Sequence, residues 1–298
     1  MILVTGAGGK TGQAVLKALS LQGLGLRALV RHEEQVSLAK QLGAEEAVVA
    51  DLLDSVGMIR AMAGVRTVYL IAPNVHPEET RIGEVAIAAA SHVGVEGIVY
   101  HSVLHPQTRE MPHHWQKLAV EEKLFQSGLD FTILQPAAYM QNVLAYWDQI
   151  VDHGVYRVPY GDRAALSLVD LEDVTEVAAK VLTSPEHIGA TYELAGPKAL
   201  SPCQIAKVLS ERLGREVQSQ VISLGTWAEE ALASGLSGYQ LDSLTKMFEY
   251  YDRHGLRGSS NVLRWLLGRS PTTFDQFVER ATYSDPTRGC PGSLQRQR

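Results

Sequence analysis

The chain has 298 residues, 45% of them hydrophobic and 20% charged, enough apolar surface for one large or two modest globular domains. A formal charge of -6 leaves no basic stripe to neutralise phosphates, which excludes DNA or RNA as an expected ligand. The two cysteines, Cys203 and Cys290, lie far apart without metal-type spacing, so neither a disulfide framework nor a zinc ribbon is expected and a reducing, cytoplasmic setting fits.

No run of about eighteen apolar residues suggests a membrane span, and Met1 leads into "ILVTG" without the pattern of a secretory leader. Short apolar runs then alternate with segments of helical period: "MILVT" and "TGQAVLKALSLQ", "LRALV" and "EEQVSLAKQLG", "AEEAVVA" and "LDSVGMIRAM". The series continues through "RTVYLIA", "EETRIGEVAIAAASHVG", "EGIVYHS", "WQKLAVEEKLFQSG" and "DFTILQP". Such alternation predicts βαβ units and, because their crossovers are right-handed, a doubly wound parallel sheet of the α/β class, the Rossmann fold. Residues 1–152 are expected to form this domain. A helix near residues 170–182 and the strand "ATYELAG" are expected to return to it, so residues 170–197 belong there as well. The remainder, 153–298, reads as a smaller, mainly helical C-terminal domain with a loose tail from about residue 284. Within it "SPCQIAKVLSERLG" has Ser201 placed as an N-cap, Pro202 at the first helical position and Gly214 at the stop.

Between the first strand and the first helix stands "VTGAGGKTGQAV". Its "GGKT" resembles a P-loop, but Val4 occupies the position that motif reserves for glycine, and "TVYLIA" ends without an acidic residue for magnesium. Gly6, Gly9 and Gly12 instead have the spacing T-G-x-x-G-x-x-G, which suits a tight turn, close approach to a pyrophosphate and packing of helix on sheet. A dinucleotide site is expected there, with Lys10 and Thr11 in the same loop. Arg31 ends the second strand where a carboxylate would bind a ribose 2′-hydroxyl; a guanidinium suits a 2′-phosphate, so NADP is favoured and NAD is the second option. Asp51, after the third strand, is a candidate for the adenine amino group or a turn residue.

These residues, with "VVADLLD", "VYLIAP", "SGLDFTILQPAAYMQN", "LVDLEDVTEVAAKVL", "TYELAGPKALS" and "LLGRSPTTFDQFV", resemble the NmrA-like family of the atypical short-chain dehydrogenase/reductase superfamily, to about Tyr283. The resemblance implies either an NADPH-dependent reductase of quinones, azo dyes or triarylmethane dyes, or a regulator that binds the dinucleotide without catalysis. It also implies that Ala72 and Pro73 lie along the cofactor, that Lys117 holds the nicotinamide ribose, and that Ser102 faces the substrate carbonyl. Where the superfamily has Y-x-x-x-K-x-x-x-E this chain has His113, Lys117 and Glu121.

Loss of that tyrosine argues against alcohol–ketone chemistry, in which a positioned acid is worth about a hundred-fold or more. A quinone or azo acceptor spreads the added electrons over a conjugated plane and needs orientation more than acid strength. His113 is expected either to pass a proton, with Lys117 lowering its pKa, or to be, with His114, a solvated start to a helix. A metal site is not expected, since neither histidine has a ligand-type residue at i+4. Tyr139, Met140, Tyr146 and Trp147 cluster after "DFTILQP" as a candidate aromatic wall, or as core. The expectation is therefore an oxidoreductase passing hydride from NADPH to a small aromatic molecule without flavin or metal, as monomer or homodimer. The rival is a sensor of the NADP/NADPH ratio that signals to a protein partner.

Overall fold

The computed structural model describes residues 1–236 and 238–283; the expected tail, with Cys290, lies outside the described residues. Six strands alternate with five helices from the start: β1 (Ile2–Val4), α1 (Lys10–Ser20), β2 (Leu26–Val30), α2 (Glu34–Gln41), β3 (Glu46–Val49), α3 (Ser55–Met62), β4 (Thr67–Leu70), α4 (Glu79–Val93), β5 (Gly97–His101), α5 (Pro112–Phe125) and β6 (Asp130–Pro136). β7 (Ala138–Tyr139), β8 (Val155–Val158) and β9 (Leu166–Val169) follow, then α6 (Leu171–Thr183), β10 (Ala190–Leu194), β11 (Ala199–Leu200), α7 (Pro202–Leu213), β12 (Gln218–Val221), α8 (Leu224–Ala233), α9 (Gly238–His254), α10 (Asn261–Leu267) and α11 (Phe274–Tyr283).

The main sheet has seven strands in the order β10-β6-β5-β4-β1-β2-β3, with every pair parallel. This is the doubly wound order with one strand added beside β6, and it reverses direction between β1 and β4, where such sheets open their ligand crevice. Alternation along each strand sends side chains to two separate cores. Ile2 and Val4 of β1, Ala28 of β2, Val99 of β5 and Leu134 of β6 join one cluster with α1 and α6. Leu3, Leu29, Ile98 and Ile133 join the other, against α3, α4 and α5.

The chain leaves the sheet after β6, lays down β7, β8 and β9, and comes back with α6 and β10, whose residues Ala190 to Leu194 pair with Thr132 to Pro136. β9 pairs with β7 and β11, and β8 with β12, giving two small sheets beside the helices α7 to α11. α7 has the capping box its sequence predicts: the Ser201 hydroxyl accepts from the Gln204 backbone N–H, Pro202 stands at the first position, and Gly214 ends the helix in the left-handed region. No described helix is long and apolar enough to cross a membrane.

Candidate active site

One cavity of about 730 Å³ runs along the carboxyl ends of the central strands and on beneath α9. At one end lies the glycine loop. The Thr5 side chain accepts from the Ile71 N–H and donates to the Ile71 carbonyl, tying the loop to the segment after β4. Gly6 adopts φ 57°, and a Cβ on Gly12 would stand 2.3 Å from the Gly6 carbonyl oxygen, so α1 approaches the turn only because Gly12 lacks a side chain. Gly9 is the N-cap and supplies no side-chain acceptor, and the first turn of α1 holds no acidic residue. The unpaired N–H groups and dipole of that turn are thus left for an anion, which fits a pyrophosphate.

Around this loop the cavity wall includes Lys10, Thr11, Arg31, Asp51, Ala72 and Pro73. Arg31 Nε is 4.0 Å from Asp51 Oδ2, and both side chains are mostly exposed. Asp51 also accepts from the Leu53 N–H at 2.9 Å, so it holds a turn as well as facing the cavity. Gln35 is a neighbour the sequence reading missed: its carbonyl oxygen accepts from the N–H groups of Arg31 and His32, which sets the backbone beside the guanidinium. Val75, buried in the following loop and lining the same cavity, has φ 50°, a conformation that strains a β-branched residue.

Lys117, on α5, is buried and paired with Glu79 of α4, not with Glu121 one turn along its own helix. Tyr100 donates to the same Glu79 oxygen at 3.0 Å, and the Lys117 ammonium lies 5.7 Å from the Tyr100 ring centre. A lysine so held has its charge fixed at the cavity wall. Ser102 also lines the cavity, but its hydroxyl donates to Glu121, whose carboxylate receives the Gln135 amide at 2.9 and 3.0 Å. Burial raises the Glu121 pKa, while Ser102, Gln135 and Lys117 act against that.

The solvated reading of the two histidines is overturned: His113 is 5% and His114 1% exposed. The first turn of α5 sits under the loop after β5, where His114 Nδ1 meets the His105 carbonyl at 3.2 Å and the two rings stand edge to face, 4.6 Å between centres. His113 faces the cavity, and its Nδ1 has no hydrogen-bond partner among the described residues. Burial first, then Lys117, lowers its pKa to about 4; burial and His113 lower that of His114 to about 3. Both rings are neutral at neutral pH, so His113 offers a hydrogen bond rather than an ionised acid. Among the described residues no group of three or more histidine, cysteine or acidic side chains could hold a metal.

Tyr139 and Met140 line the cavity, as does Tyr146, whereas Trp147 packs against the apolar core. Next to Tyr139 is His101, which bridges the Tyr69 and Tyr139 hydroxyls. The far end of the cavity is aromatic: Tyr156, Tyr160, Phe248 and Tyr251, with Met247 and Leu244. Tyr160 stacks on Phe248 at 5.9 Å and 23°, and Trp227 meets Phe248 edge-on at 4.8 Å. Burial pushes the Tyr156 hydroxyl up to about 12, and it is hydrogen bonded to Tyr160. The signal for this end was in the sequence, since residues 244, 247, 248 and 251 repeat at i, i+3, i+4 and i+7, the spacing of one helix face.

A doubly wound sheet with a glycine loop at its switch point defines a dinucleotide-binding fold, and the NmrA-like family profile matches residues 1–279. The chain belongs to the NmrA-like family. It is 28% identical over 283 residues to the NAD(P)H azoreductase of Xenophilus azovorans, covering 94% of this chain and 97% of the relative. The NADPH complex of the quinone oxidoreductase QOR2 from Escherichia coli superposes with a TM-score of 0.82 at 28% identity, covering 94% of this chain and 99% of the other. The Citrobacter triphenylmethane reductase complexed with NADP(H) shares the fold, with a TM-score of 0.82 at 23% identity over 94% of this chain and all of the other.

Proposed function

We propose that this protein is an NADPH-dependent reductase that passes a hydride to a flat conjugated acceptor, a quinone or an azo compound, without flavin or metal. The observation that carries the reading is the continuity of the cavity from the glycine loop to the aromatic set of Tyr156, Tyr160, Phe248 and Tyr251. A site that merely sensed a dinucleotide has no use for an apolar chamber beyond it, and this favours the reductase over the regulator. The names of the azoreductase and quinone oxidoreductase relatives support it.

In this reading Gly6, Gly9, Gly12 and the α1 terminus bind the pyrophosphate, with Lys10 and Thr11 beside it. Arg31 takes the 2′-phosphate with NAD as the weaker alternative, Asp51 sits by the adenine, and Ala72 and Pro73 flank the cofactor. Bound NADPH supplies the hydride. Lys117, fixed by Glu79, orients the ribose; His113 and Ser102 line the reacting end, and Tyr139 and Met140 stand between it and the aromatic chamber. The acceptor is a small molecule, and a cytoplasmic monomer or homodimer is sufficient for the chemistry.

Mixing the protein with NADPH and a panel of naphthoquinones and azo dyes tests the reading through loss of absorbance at 340 nm. Oxidation with at least one acceptor is expected, and tight cofactor binding with no turnover would overturn it. The choice of cofactor is tested by Arg31→Ala, which should weaken NADPH by about tenfold, the equivalent of ~1.4 kcal/mol, and leave NADH within about twofold in a fluorescence titration.

A further inference from the structure

We propose that Tyr139, oriented by His101, is the hydrogen-bond donor that meets the negative charge building on the acceptor's oxygen during reduction. The inference rests on the reductase reading and adds the group that stabilises its charge.

It follows from counting protons. His101 is buried at the end of β5, with Nδ1 2.7 Å from the Tyr69 hydroxyl and Nε2 2.6 Å from the Tyr139 hydroxyl. Burial, with Lys117 adding to it, lowers the His101 pKa to about 3, so the ring is neutral near neutrality. A neutral imidazole has one N–H and one lone pair, so one phenol donates to it and the other accepts. Suppose Tyr139 donated to Nε2. The ring proton would then lie on Nδ1, Tyr69 would accept it, and the proton of Tyr69 would have no acceptor: the residue is 0% exposed, and its hydroxyl bonds to nothing else among the described residues. Stranding a buried donor costs about 1–3 kcal/mol.

The opposite arrangement uses every proton. Tyr69 donates to Nδ1, and Nε2–H points at the Tyr139 oxygen. Thr11 Oγ1 donates to that same oxygen from 3.3 Å. With both lone pairs engaged, the proton of Tyr139 has no acceptor among the described residues and faces the cavity that Tyr139 lines. The phenol missing from α5 is thereby replaced by one from β7, which lines the same cavity.

Burial also pushes the Tyr139 pKa well above the usual phenol value, so it keeps its proton and acts as an aimed dipole, not as an acid. In the reaction the quinone gains a hydride from NADPH, which becomes NADP⁺. The Tyr139 hydrogen bond holds the resulting oxyanion, and water supplies the one proton that completes the hydroquinone. Donors of this kind are worth about 10²–10³ in kcat. Acceptors that develop no oxyanion gain nothing from it. A triarylmethyl cation takes a hydride on carbon and becomes neutral, with no proton required.

The test compares 1,4-naphthoquinone with malachite green, using wild type, Tyr139→Phe, His101→Leu and His101→Gln, with the Kd for NADPH measured by fluorescence. Tyr139→Phe should lower kcat for the quinone tenfold or more and lower the quinone-to-dye ratio by a similar factor, with the NADPH Kd within about twofold. His101→Leu should act in the same direction. His101→Gln, whose amide accepts from Tyr69 and donates to Tyr139, should restore most of the quinone rate. An active wild type in which Tyr139→Phe leaves the quinone kcat within twofold overturns this inference alone. A wild type that oxidises NADPH with no acceptor overturns the reductase reading and this inference with it.

Discussion

The most informative side chains are polar ones that the fold has buried. His101, His113 and His114 have pKa values lowered to about 3, 4 and 3, in each case chiefly by burial, whereas an unfolded histidine titrates near 6.5. Between those values the unfolded chain is protonated and the folded one is not. Unfolding therefore takes up protons, and stability falls as pH drops through 6.5 toward 4. Each histidine contributes about 1.4 kcal/mol per pH unit inside that window, so urea midpoints should drop sharply from pH 7.5 to pH 5; a flat profile would contradict the burial. Lys117 and Glu79 make the second case. Lys117→Met leaves a buried carboxylate uncompensated and should cost about 3–5 kcal/mol, whereas adding Glu79→Leu should recover most of that in thermal melts without recovering turnover. Lys117 was singled out by the resemblance to the Y-x-x-x-K pattern, in which His113 stands at the tyrosine position. Its partner was not, because Glu79 lies on another helix 38 residues away and only the packing of α4 on α5 brings them together.

At the scale of elements, sequence periodicity located the strands and helices of the sheet well, because each has a face that must be buried and a glycine or cap that ends it. The capping box of α7 is the plainest instance. The aromatic end of the cavity was harder to read. Tyr146 and Trp147 are adjacent, so the short helical turn that carries them cannot direct both into one cavity; Tyr146 faces it and Trp147 joins the core. Part of that wall comes from α9, through Leu244, Met247, Phe248 and Tyr251, and its apolar face could equally have been sealed in a core; nothing local distinguishes the two fates. Phe248→Ala tests the assignment. With the ring that stacks on Tyr160 removed, the KM for a naphthoquinone should rise by about tenfold while NADPH affinity stays unchanged; equal weakening of both would point to general loosening.

At the scale of the whole molecule, the chain passes from the sheet into the smaller region and back before the sheet is complete. A fragment ending at residue 152 lacks β10 and α6, leaving the β6 edge unpaired and part of the apolar face shared with α1 uncovered. Such a fragment should fail to give cooperative unfolding by circular dichroism, and the full chain should melt in one transition, not two. This return was foreseeable from "ATYELAG", which reads as a strand, but its neighbour was not, since any sheet edge accepts a parallel strand.

The late arrival of β10 has a consequence for biosynthesis. During translation, β6 must wait until residue 194 has cleared the ribosome before its open side is paired, and by then β7, β8 and β9 have already emerged. The nascent protein therefore carries an unfinished edge for the time taken to make some sixty residues, a few seconds or more at ~5–20 residues per second. For that interval the charge of Asp130 and the proline at position 136, at the two ends of β6, are the features of the strand itself that work against a foreign strand docking there.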